Sequence, residues 1–156
     1  MTTAPTTAGP GPLSPEVAAI NAVLRVELTA IETYEQILPR FDGHPFCNDL
    51  RTIRYAHETA AGALRNHVRN LGGEPVAESD AAVRLHSPAA STGNPTAILD
   101  ELRRTEEQGV AAYERLLQRE QMPEECRFAI RCELVGRCHE HVDALAGMSR
   151  ALSQKG

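Results

Sequence analysis

Glu27, His57, Glu106 and His139 are the residues of this 156-residue chain whose type and spacing suit them to chemistry. Each is the polar member of an otherwise apolar series at the three-to-four spacing of a helix face. Glu27 interrupts Val17, Ile20, Leu24, Ile31, Tyr34 and Leu38, and His57 interrupts Leu50, Ile53, Ala60, Leu64, Val68 and Leu71. Glu106 falls among Leu99, Leu102, Gly109, Tyr113 and Leu116, and His139 among Phe128, Cys132, Val135, Val142 and Ala146. Burying an ionised carboxylate costs several kcal/mol unless it is paired or coordinated. Two carboxylates and two neutral imidazoles meeting at one height form a ligand set for a divalent iron, manganese or zinc ion.

The two halves of the chain repeat this pattern. Tyr34 follows Glu27 by seven residues, and Tyr113 follows Glu106 by seven. His57-Glu58 is matched by His139-Glu140, so a helical hairpin has been duplicated with its polar core kept. The two tyrosines, one heptad from the carboxylates, are placed to hydrogen-bond across the bundle and orient the ligands. Glu58 and Glu140, one residue off the apolar series, read as solvated.

The elements that must position these residues are marked out by proline. Proline is tolerated in the first turn of a helix and not in its interior, so proline-free stretches are the helix candidates. They run from about Pro15 to Leu38, Pro45 to Leu71, Pro95 to Gln121 and Pro123 to Leu152. Ser14-Pro15 and Asn94-Pro95 read as N-cap and first helical residue, and Gly72 suits a left-handed helix end. Short turns join helices 1 and 2 and helices 3 and 4, which makes two antiparallel hairpins. The connection from Leu71 to Pro95 is long enough to travel the length of the bundle. The expected fold is all-α, a four-helix bundle of two antiparallel hairpins joined by a long crossover. Residues 1–14, rich in Thr, Ala, Gly and Pro, read as a disordered tail before a bundle spanning 15–156.

Composition agrees and excludes alternatives. Aromatics make up 4% of the chain, with no Trp, which argues against a β-sandwich or barrel. A net charge of −5 without a basic run points away from nucleic acid. No apolar run approaches a membrane span, and the first residues lack the charged and apolar regions of a signal peptide, so a cytoplasmic protein is expected. Cys126, Cys132 and Cys138 are six residues apart, which on a regular helix turns neighbours by about 600°. They are not expected to share a metal site, and with Cys47 they read as thiols in a reducing compartment. His44, His67, His86 and His141 read as surface or packing histidines.

Glu-x6-Tyr on helices 1 and 3, His on helices 2 and 4, and the long crossover together resemble the ferritin-like superfamily. The Leu71-Gly72-Gly73-Glu74-Pro75 exit and the Glu106-to-Tyr113 segment are similar, more narrowly, to a family of uncharacterised bacterial ferritin-like four-helix-bundle proteins. The resemblance implies a ferritin-like bundle with Glu27, His57, Glu106 and His139 as metal ligands, and roles in metal handling or oxidative stress. In di-iron members each His belongs to a Glu-x-x-His motif whose Glu bridges the metals. Here Arg54 and Gly136 stand three residues before the histidines. That departure leaves a single iron or manganese ion, with at most weak ferroxidase-like activity. The competing expectation needs no metal: Arg54, one turn before His57, reaches Glu27 or Glu106 and neutralises a relic site by a bidentate pair. Association as a homodimer or higher homo-oligomer is expected under either reading, with no nucleic-acid or membrane partner.

Overall fold

The computed structural model describes residues 14–79 and 93–155, and over them the chain forms a bundle of four long helices. Helix α1, Pro15–Ile37, starts where Ser14 Oγ accepts the amide of Val17 and Pro15 supplies a preset φ. A 3₁₀ turn, Leu38–Phe41, follows, and Gly43 at φ 73° reverses the chain into α2, Cys47–Asn70. Helix α3, Pro95–Leu117, is capped by Asn94, whose Oδ1 accepts the amides of Thr96 and Ala97. Its last carbonyl and one just beyond its end are held by Arg127, which donates to Leu117 O at 2.6 Å and Arg119 O at 2.5 Å. Helix α4 runs continuously from Glu124–Ala129 through a π-helical segment, Ile130–Val135, into Gly136–Ser153. The expected tail lies, apart from Ser14, outside the described residues, as does His86.

Helices α1 and α2 pack along their lengths, and so do α3 and α4, giving the two hairpins. Across the seam between hairpins, Tyr34 meets Glu106 and Glu27 meets Tyr113. As one number rises the other falls, so α1 and α3 are antiparallel and the crossover must return the chain from one end of the bundle to the other. The start of that crossover is fastened to α1. Buried Asn21 donates to Glu74 O and accepts from the Val76 amide, both at 3.0 Å. Gly72 takes the left-handed φ of 77° that ends α2. At Gly73 a Cβ would lie 2.5 Å from Val17 Cγ1, so only glycine lets the turn close on α1. Among the described residues no helix is long and apolar enough to cross a membrane.

The core divides into two apolar parts. One, around Leu24, Leu64, Tyr113 and Ile130, fills the end where α1 begins; the other, around Ile37, Leu50, Leu99 and Leu145, fills the opposite end. Between them lies a layer of buried polar residues: Glu27, His57, Glu106 and His141. The buried faces of α1, α2 and α3 follow the expected apolar series closely. On α4 the face differs from the expected one. Phe128, Cys132 and His139 are exposed, while Cys126, Ile130, Leu134, Cys138, His141, Leu145 and Met148 turn inward. The first four are four residues apart, a spacing that drifts around a straight α-helix by about 40° per step. The wider turn of the π-helical segment absorbs that drift and keeps them on one side.

Candidate metal centre

His57, at the middle of α2, stands between the two core glutamates. Its Nδ1 lies 2.6 Å from Glu27 Oε2 and its Nε2 lies 2.8 Å from Glu106 Oε1. Each glutamate is also held by the tyrosine of the other hairpin. Tyr34 donates to Glu106 Oε1 at 2.8 Å, and Tyr113 donates to Glu27 Oε1 at 2.5 Å. Both tyrosines are almost wholly buried. The heptad spacing of the sequence thus becomes a reciprocal exchange, each half of the repeat supplying the hydroxyl that fixes the other half's carboxylate. His141 closes the cluster from α4: its Nδ1 is 3.4 Å from Glu106 Oε2, and its ring centroid is 5.3 Å from that of His57.

The donor arithmetic fixes the protonation of this arrangement. Carboxylate oxygens facing both ring nitrogens of His57 demand two N–H donors, which only the imidazolium has. Burial works against that charge, but the hydrogen bonds to Glu106 and Glu27 outweigh it and lift the His57 pKa to about 10. Burial would likewise raise Glu106; His141 and His57 at its two oxygens outweigh it and hold its carboxyl down at about 2. Tyr34 and Tyr113 are pushed well above the ordinary tyrosine value, first by burial and then by their glutamate partners, so they stay donors.

His57 Nε2, a Glu106 oxygen and a His141 nitrogen are close enough together to hold one metal ion. Glu27 is not part of this trio. It reaches the centre through His57, in the position of a carboxylate that fixes a ligating imidazole's tautomer and orientation. His141 Nδ1 is buried without a hydrogen-bond partner, 8% of the residue being exposed. Buried polar atoms are rarely left so, and an unpartnered imidazole nitrogen beside a carboxylate suits a cation. A small internal cavity adjoins the centre, bounded by Glu27, His57, Glu106, Gly109 and Cys138. A Cβ on Gly109 would meet nothing within 4 Å, so the absent side chain leaves space at the carboxylates.

The structure therefore brings together Glu27, His57 and Glu106 of the four expected ligands, but only His57 and Glu106 belong to the trio able to hold an ion; Glu27 stands behind His57, and the fourth is corrected. His139 is on the solvent side of α4, and His141, expected to be a packing histidine, faces Glu106. On a helix two residues turn by about 200°, so these histidines point in nearly opposite directions. The correction also moves the histidine's partner three residues earlier from Gly136 to Cys138, which is buried and has its thiol pushed up to about 12, first by burial and then by Glu27 and Glu106. Arg54 does not neutralise the core glutamates. Its guanidinium turns outward to Glu35 Oε1 at 2.6 Å and Glu58 Oε1 at 3.0 Å. A short reach to two surface acids costs less desolvation than entering a centre already bridged by His57.

Fold and centre together define an all-α bundle with a buried histidine–carboxylate cluster able to hold a metal ion. The chain belongs to the family described as Domain of unknown function (DUF2383), which matches residues 16–119. That span contains α1, α2 and α3 with Glu27, Tyr34, His57, Glu106 and Tyr113, and it stops before the helix that carries His141. No curated protein and no solved structure matches the chain.

Proposed function

We propose that this protein is a ferritin-like bundle that binds a single divalent iron or manganese ion through His57 Nε2, Glu106 and His141, and that its role is metal handling. The observation that supports this most directly is the buried His141 nitrogen, which faces Glu106 Oε2 at 3.4 Å without a hydrogen bond. Two imidazoles and one carboxylate leave coordination positions open on an ion, as a set used for iron does. Glu27, fixed by Tyr113, holds His57 from the far side with Nδ1 protonated, so that Nε2 is the nitrogen turned to the ion. The ion would supply Lewis acidity and, if iron, redox capacity. The chain supplies burial and two tyrosine hydroxyls that hold the carboxylates in place.

In the metal-free protein the same place is taken by a proton. The imidazolium of His57 is the cation between the carboxylates, so metal binding is a proton exchange. Anaerobic titration with Fe(II) or Mn(II) at pH 7, in buffers of different ionisation enthalpy, measures this. One equivalent bound with release of about one proton supports the proposal. Absence of saturable binding removes it and leaves a second reading, favoured by the two short His57 bonds: a metal-free bundle whose polar layer fixes the register of its helices.

A further inference from the structure

The register that pairs Glu27 with Tyr113 and Tyr34 with Glu106 places Arg25 of α1 opposite Arg115 of α3 on the outer side of the same seam. Both line a groove of about 530 Å³ between these helices, and neither makes an ion pair among the described residues. Arg104 adds to this section, and Arg119 lines its continuation toward the start of α1. Two of these four arginines face carboxylates, Arg104 with Glu101 at 3.1 Å and Arg119 with Glu16 at 3.8 Å, which leaves Arg25 and Arg115 as the two without one. On a chain of net charge −5 this is a local reversal of sign. Two like charges facing one another without an intervening acid repel, and an anion between them converts repulsion into two charge-assisted hydrogen bonds. The floor between them is apolar and built from small residues, Ala22, Val26 and Ala112, which open into a further section at Ala19, Val23 and Leu116.

We propose that this groove binds a small organic carboxylate with an apolar body, its carboxylate between Arg25 and Arg115 and its body along Ala22, Val26 and Ala112. Small floor residues leave room for a hydrocarbon chain, and the guanidinium fork matches a carboxylate in two-point geometry. The site stands apart from the metal proposal, because neither arginine touches the buried centre. It is nevertheless adjacent to it: Val26 and Thr105 form part of the groove and also wall the internal cavity beside Glu27 and Glu106.

Calorimetric titration of the full chain with octanoate, and separately with inorganic phosphate, tests this. Saturable 1:1 binding of octanoate is expected, at least tenfold tighter than phosphate. It should weaken at least tenfold in the Arg25→Gln/Arg115→Gln variant and also in Ala112→Leu, which fills the floor. Arg25 and Arg115 are exposed, so an unchanged thermal melt is expected for the double variant and keeps loss of binding separate from loss of fold. Equal affinity for phosphate and octanoate, no saturable binding, or binding unchanged in the double variant would each overturn the proposal. A wild-type dimer that Ala112→Leu dissociates would overturn it as well, by showing that a second copy fills the groove.

Discussion

The hydroxyl of Tyr113 on α3 donates at 2.5 Å to the carboxylate of Glu27 on α1, 86 residues earlier in the chain. The reciprocal bond joins Tyr34 to Glu106. Each hairpin thus carries an acid that it cannot satisfy with its own tyrosine, and only docking of the two halves supplies the missing donor. The polar layer is in this sense a register device as well as a candidate centre, since sliding α1 along α3 by one turn would break both bonds together.

Tyr113→Phe removes that donor while keeping the ring's packing. It leaves a buried carboxylate oxygen without its bond, so a loss of about 1–3 kcal/mol is expected in urea denaturation, and Tyr34→Phe should cost a similar amount. A variant as stable as the wild type would show that the hydroxyl is not carrying the contact.

His57 and Arg54 lie one turn apart on α2 and should behave very differently. His57→Leu takes away the bridge between two buried carboxylates and is expected to cost on the order of 3–5 kcal/mol in metal-free protein. Arg54→Ala breaks an ion pair at the surface, where its partners Glu35 and Glu58 are themselves accessible, and should cost less than about 1 kcal/mol. Melting curves of the two variants side by side provide the comparison; a large loss for Arg54→Ala would restore the guanidinium to the core.

Acidity and stability are linked through the same residues. His57 is raised from 6.5 to about 10, so its contribution is complete below pH 6.5 and is lost as the pH rises toward 10. Glu106 is lowered from 4.5 to about 2, so its contribution is complete above pH 4.5 and is lost as the pH falls toward 2. Metal-stripped protein should therefore melt highest between about pH 4.5 and 6.5. Of the shifted groups only His57 acts between pH 6.5 and 9; above that Cys138, raised from 9 to about 12, adds to the loss. Thermal melts in chelator across this range measure the profile, and a melting temperature that climbs from pH 6.5 to 9 would rule out the charged imidazole.

Much of this was legible in the sequence because the helices announce their ends. Ser14-Pro15, Asn94-Pro95 and Gly72 sit where capping chemistry requires them. On α1, α2 and α3 a single polar residue breaks each apolar series, so Glu27, His57 and Glu106 could be found without coordinates. Helix α4 could not be read the same way, because two of its faces are apolar and each carries a histidine. The pairing of His139-Glu140 with His57-Glu58 favoured the wrong face. The unbroken series Cys126, Ile130, Leu134, Cys138, continuing through His141 to Leu145 and Met148, was the available signal, but it needs the π-helical turn to stay on one side. The destination of Arg54 was equally hidden, since an arginine's reach covers both the core glutamates and the surface pair Glu35 and Glu58.

Elemental analysis of three untagged proteins produced with iron or manganese supplementation tests the His57, Glu106 and His141 centre most directly. Wild type and His139→Ala should each carry close to one metal ion per chain, because His139 faces solvent, and His141→Ala should carry almost none. Metal retained in full by His141→Ala, or a wild type that carries no stoichiometric metal, would contradict it.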